Sequence, residues 1–149
     1  MTDDLPFVDE HTVLVAASPT AVWRSLAHAY GGGSPSWEAY GRLVAADPGR
    51  TTGAPLAEGS TLPGFEVTES APARLLRLTG RHRYSRYALT LTLTPRPTGT
   101  LLTARTHASF PGAAGRTYRR LVIASGAHRI LMTRRLGGIR RRAESEAAM

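Results

Sequence analysis

Hydrophobic and polar positions alternate through most of the second half of the chain. Phe65 and Val67 alternate with Glu66 and Thr68, and Leu76 and Leu78 with Arg77 and Thr79. Tyr87, Leu89, Leu91 and Leu93 alternate with Ala88, Thr90, Thr92 and Thr94; Leu102, Ala104, Thr106, Ala108 and Phe110 alternate with Thr103, Arg105, His107 and Ser109. A period of two over these segments predicts a sheet with one dry face. The connections Ser70–Pro72 and Pro95–Gly99 are short and turn-like, so neighbouring strands are expected as antiparallel hairpins. Gly80–Ser85 is less clearly patterned and reads either as a loop or as an extension of the adjoining strands.

Upstream, HTVLVAA at His11–Ala17 is a β-branched apolar run that predicts a first strand, with Val13 and Val15 on one face. Ser18-Pro19 then opens a helix. Ser18 caps it, Pro19 takes a position where a missing N–H costs nothing, and Val22, Leu26 and Tyr30 follow at helical spacing. Gly31-Gly32-Gly33 should end it. Ser34–Tyr40 repeats the Ser-Pro opening and predicts a short second helix, while Asp47–Ser60, rich in Gly, Pro, Thr and Ala, reads as loop or edge strand. From Ala113 to about Arg142 the pattern fits one long helix of about 45 Å. Its apolar stripe holds Tyr118, Leu121, Val122, Ser125, His128, Met132, Leu136 and Ile139. Gly126 and Gly137-Gly138 each cost roughly 1 kcal/mol relative to Ala in a helix interior, which predicts bends or close approaches there.

The order is therefore strand, helix, short helix, antiparallel strands and a long C-terminal helix. With the junction V-x-V-A-A-S-P-x-A-V-W at Val13–Trp23, and Trp37 soon after it, this order resembles the START-like (SRPBCC) superfamily, in its polyketide cyclase/dehydrase-like branch. The resemblance runs from about Phe7 to Arg142. It implies one α+β domain of the helix-grip type over residues 1–149: a curved antiparallel sheet wrapped around the C-terminal helix, with one or two short helices after the first strand. It also implies an elongated, mostly apolar cavity between sheet and helix. Packing geometry agrees, because a curved sheet cannot lie flush along a straight helix. Small inward residues (Ala104, Thr106, Ala108) opposite Ser125 favour a void; the competing reading is that Trp23, Trp37, Tyr30 and Phe65 fill it. The expected ligand-facing residues are Trp37 and Phe65; Tyr87, Leu89 and Leu91 on one strand; Ala104 and Thr106 on the next; and Tyr118, Leu121, Val122, Ser125, His128 and Met132 on the helix.

Composition narrows the chemistry. The chain has 149 residues, 42% of them hydrophobic, which suits a packed core. It has no Cys, which removes disulfides, Cys-containing zinc sites and thiol nucleophiles together. All 19 basic residues are Arg, for a net charge of +8. The first 70 residues carry three of these Arg and nine of the acids, and the rest of the chain carries 16 Arg and only Glu144 and Glu146. The start, MTDDLPFVDEH, is acidic without an apolar h-region, and no run of about 18 apolar residues occurs, so a cytoplasmic protein is expected.

Catalysis in such a cavity needs a few convergent polar groups among apolar walls. His128 is the candidate general base, with Tyr87 or Tyr118 as partner. No acid lies on its helix before Glu144, so an orienting carboxylate has to come from elsewhere. Ser125 with His128 lacks the acid and oxyanion device of a nucleophilic dyad. In Arg81-His82-Arg83-Tyr84-Ser85-Arg86-Tyr87, the residues Arg81, Arg83 and Arg86 read two ways: a cradle for an anionic ligand group, or an exposed hairpin with its Arg in solvent. The five His lack metal-ligand spacing, and neither a dinucleotide fingerprint nor a P-loop is present, so neither a metal nor a cofactor is expected. Without a helix-turn-helix, zinc finger or RNP motif, the Arg-rich helix reads as a solvated face rather than a nucleic-acid reader. The expected function is binding of a hydrophobic or amphipathic, lipid- or polyketide-like molecule. The alternatives are a cyclase/dehydrase-like enzyme that works by cavity shape and one or two acid/base groups, and an Arg-rich interaction module.

Overall fold

The computed structural model describes residues 5–30, 39, 42, 43 and 45–148. Trp37, the triple glycine and all of the Ser34–Tyr40 segment except Ala39 lie outside the described residues. The strands are β1 (Phe7–Val15), β2 (Thr61–Leu62), β3 (Phe65–Ala71), β4 (Leu75–His82), β5 (Ser85–Arg96) and β6 (Gly99–Ser109). They form one antiparallel sheet in the order β1-β6-β5-β4-β3-β2. Strands β2 to β6 meander through hairpins, and β1 closes onto β6 at the edge. Bulges fall between Phe7 and Asp9 in β1 and between Val67 and Glu69 in β3.

The alternation sorts as its period requires. Leu76, Leu78, Leu91, Leu102 and Ala104 are fully buried, while Arg77 and the threonines between them are at least partly exposed. Gly80–Ser85 resolves into strand extensions joined by a tight turn at Arg83-Tyr84, with His82 paired to Ser85. Residues 47–60 form a loop touching the sheet through isolated bridges, Asp47 to Arg81 and Thr52 to Thr61.

Helix α1 (Pro19–Tyr30) starts as its sequence dictates: the Ala21 N–H donates to Ser18 Oγ at 3.2 Å and the Val22 N–H to the Ser18 carbonyl at 3.0 Å. The C-terminal region departs from a single straight helix. It divides into α2 (Gly112–Arg119), a π-helical stretch (Arg120–Ala124) and the long α3 (Ala127–Ala147). The division has a local cause: Gly126 sits at φ +84°, a left-handed conformation that ends one helix before the next begins. At 21 residues, α3 spans about 30 Å, and it continues unbroken through Gly137-Gly138.

Helix α3 is clamped at its far end. Ser25 Oγ donates to the Ile139 carbonyl at 2.8 Å inside the core, the Ala16 N–H donates to Glu144 Oε2 at 2.8 Å, and Arg24 pairs with Glu146. Met132, Leu136, Ile139 and Ala143 are its buried face. The result is the expected helix-grip arrangement, with the wide end between sheet and helix at residues 118–132. Among the described residues, no helix is long and apolar enough to cross a membrane.

Candidate functional site

At that wide end lies a cavity of about 450 Å³ with a mostly apolar wall. The sheet contributes Phe65, His82, Ser85, Tyr87, Ala88, Leu89, Thr106 and Ala108. The helical side contributes Tyr118, Val122, Ile123, His128, Leu131, Met132 and Arg135, and Tyr30 closes the end of α1. The sequence singled out eight of these as ligand-facing: Phe65, Tyr87, Leu89, Thr106, Tyr118, Val122, His128 and Met132.

Four others stand elsewhere. Leu91 and Ala104 are cross-strand partners one step beyond Leu89 and Thr106, and both are wholly buried in the core. The cavity stops at the Leu89–Thr106 pair because α1 and α3 close on the sheet from there. Leu121 is 67% exposed, and Ser125 is exposed with its hydroxyl turned back on the Leu121 carbonyl. Both follow from the π-helical turn: its wider spacing rotates the stripe away from a 100° progression, so positions 121 and 125 leave the face that 118 and 128 keep.

Arg81, Arg83 and Arg86 point outward. His82 and Ser85 take the inner face of the hairpin, so period two sends Arg81 and its cross-strand partner Arg86 to the other side. Arg81 is held by Asp47 through its guanidinium at 3.0 Å and through backbone bonds in both directions. The exposed-hairpin reading is the one the structure carries, and the guanidinium at the cavity belongs to Arg135. It lies 5.1 Å over the Tyr30 ring and donates to the Ala29 carbonyl at 3.3 Å. Burial pushes the Tyr30 hydroxyl above its ordinary pKa, against the opposing pull of Arg135. Most Arg of the C-terminal helices, including Arg116, Arg119, Arg129, Arg134 and Arg141, are exposed.

An aromatic wall runs along one side. Tyr30 meets Phe65 edge-on, Phe65 meets Tyr87 at 5.3 Å, His82 contacts Tyr87 and Tyr118, and Tyr84 stacks on Tyr118 at 5.0 Å. Two glycines set the position of Tyr87. Gly64, at φ +86°, brings its carbonyl across β4 onto Gly80, where a Cβ would stand 1.9 Å from that oxygen. The same carbonyl accepts the hydrogen bond of the Tyr87 hydroxyl.

His82 is fixed in one tautomer. Its Nδ1 accepts the Tyr84 N–H at 3.0 Å, so in the neutral ring Nε2 carries the proton and donates to Ser85 Oγ at 3.2 Å. Burial holds its pKa below the ordinary value of 6.5, favouring that neutral form.

On the opposite side stands His128, at the start of α3. A carboxylate comes to it from β1, since the acids of its own helix, Glu144 and Glu146, lie at the far end: Asp9 Oδ1 lies 3.4 Å from His128 Nε2, and Asp9 Oδ2 accepts a hydrogen bond from His11 Nε2 at 3.1 Å. Asp9 lies upstream of the strand expected at His11–Ala17, and His11 is that strand's first residue. Begun at Phe7, the same alternation places Asp9 and His11 on the face of Val13 and Val15. Two ionisable residues on a dry face were the available signal. Among the described residues, no group of three or more His, Asp or Glu has the arrangement of a metal site.

Residues 9–144 match the family model described as polyketide cyclase/dehydrase and lipid transport. No curated protein matches the sequence. Among solved structures, a protein of Mesorhizobium loti (MLL2253) is 19% identical, with a TM-score of 0.56 over 92% of this chain and 96% of its own. A protein of Chromobacterium violaceum (CV1439) is 14% identical, with a TM-score of 0.57 over 91% and 96%. The di-domain ARO/CYC StfQ from the steffimycin biosynthetic pathway is 17% identical, with a TM-score of 0.58 over 99% of this chain and 52% of StfQ, so the chain spans about half of that protein. At these identities the likeness is one of fold.

Proposed function

Because the chain belongs to the polyketide cyclase/dehydrase and lipid transport family, we propose that it binds a hydrophobic or amphipathic small molecule, lipid- or polyketide-like, between its sheet and its C-terminal helices. The observation that carries this reading is the cavity itself, about 450 Å³ and walled mainly by Phe65, Leu89, Val122, Leu131 and Met132. That volume lies in the range of small-molecule sites. Apolar walls supply affinity, while the few polar groups (His128, Thr106, Ser85 and Arg135) supply orientation. The direct test is native mass spectrometry of the protein purified from its own host. A co-purified organic molecule that is lost on filling the cavity supports the reading; failure of the protein to take up any apolar probe overturns it.

A second reading, a cyclase/dehydrase-like enzyme, is favoured by one observation: His128 has a carboxylate beside it. Positioning a reactive chain against one or two acid/base groups is sufficient for such chemistry. Tyr87 suits the acid role less well, since its hydroxyl already donates to the Gly64 carbonyl. His128→Gln should abolish turnover and leave affinity for an apolar probe nearly intact; undiminished turnover rejects the role.

A further inference from the structure

Three buried side-chain atoms that make no hydrogen bond among the described residues meet at one place: Asp9 Oδ1, Thr106 Oγ1 and His128 Nε2. Asp9 and Thr106 are directly paired across β1 and β6, and His128 Nε2 lies 3.4 Å from Asp9 Oδ1 without the alignment of a hydrogen bond. Thr106 is 7% exposed, and it lines the cavity together with His128. Buried polar groups left unmet are costly, each by the desolvation it has suffered. Thr106 and His128 stand in the cavity wall and Asp9 lies beside them, so a group in the cavity is what can complete them. From this geometry we infer a hydroxyl-binding subsite: the alcohol or phenol O–H of the ligand donates to the Asp9 carboxylate, and its oxygen accepts from Thr106 or His128. A hydroxyl is the smallest group that both donates and accepts at one atom; a carbonyl leaves Asp9 unmet and a hydrocarbon leaves all three. His11, on the far oxygen of Asp9, holds the carboxylate in place for this contact.

The inference rests on the cavity being a ligand site, and the experiment separates the two. Displacement of bound N-phenyl-1-naphthylamine gives affinities for 2-naphthol and 2-methylnaphthalene, which share a ring system and differ in the hydroxyl. The readout is the ratio of the two affinities, compared between the unmodified protein and Thr106→Val, which keeps shape and removes the donor. A ratio shifted against 2-naphthol by roughly tenfold, the scale of one hydrogen bond, and restored in Thr106→Ser, supports the subsite. Asp9→Leu, which removes both carboxylate oxygens, repeats the test from the acceptor side. If both compounds bind and the ratio is the same in every variant, the subsite is overturned and the cavity reading stands. If the probe binds and neither compound displaces it, the subsite is overturned; if the probe itself does not bind, the cavity reading falls and the subsite with it.

Discussion

Replacing Gly80 by alanine should weaken the fold through a single contact. The added methyl group would stand 1.9 Å from the Gly64 carbonyl oxygen and 3.2 Å from Tyr87 Cε2, where contacts below 3.0 Å do not persist. The carbonyl must therefore retreat by about 1 Å, and its loop is not free to follow, because the Gly64 N–H is tied to the Pro48 carbonyl at 2.7 Å. Retreat also breaks the bond from the Tyr87 hydroxyl. One net hydrogen bond is worth about 1 kcal/mol, and overpacking strain adds about 1–3 kcal/mol, giving a loss of roughly 2–4 kcal/mol. For a chain of this length each kcal/mol lowers Tm by about 2–4 °C, so the expected drop is roughly 4–16 °C. Thermal and urea unfolding followed by circular dichroism measures it. Tyr87→Phe alone should cost about 1 kcal/mol; combined with Gly80→Ala it should add almost nothing, since the bond is already lost. A Gly80→Ala protein within about 0.5 kcal/mol of the original, or strictly additive penalties, would refute the reasoning.

Glu144 carries a pH dependence of known sign. The Ala16 N–H and then Arg140 hold its carboxyl below the ordinary value of 4.5, so its contribution is complete above 4.5 and is lost as pH falls through the lower folded-state value. Urea midpoints of the original and Glu144→Gln should differ at pH 7 and converge in acid; a constant difference contradicts the assignment. Val122→Trp should push an indole into the cavity and weaken apolar-probe binding at least about tenfold, or ~1.4 kcal/mol, with little change in the unfolding midpoint. Unchanged probe affinity would show that residue 122 does not face the occupied space.

The strands were legible because period two needs nothing beyond local sequence: each segment from Phe65 to Phe110 buries the face its alternation names. The Ser18-Pro19 helix start was legible for the same reason, cap and proline acting over a single turn. The helical side of the cavity was legible only in part: Tyr118, Val122, His128 and Met132 face it as expected. A π-helical turn at Arg120–Ala124 is a choice of backbone register that leaves no mark in hydrophobicity, and it displaced Leu121 and Ser125 from the stripe while His128 and Met132 stayed on it. Composition left the Arg-rich hairpin open between two readings, and the guanidinium at the cavity is that of Arg135, one turn beyond Met132 on the helix expected to present a solvated Arg face. Asp9 escaped because its pairing with His128 joins residues at opposite ends of the chain.

The helical cover over the cavity buries almost nothing of its own: between Gly112 and Ala124 only Gly115 is buried, while α3 beyond Met132 is pinned to α1 and β1 by Ser25 and Glu144. The free energy of opening a segment follows the contacts it gives up, so lifting this cover is far cheaper than unfolding the sheet beneath it. Gly126, at φ +84°, divides an arm pinned to the core from one that is held loosely.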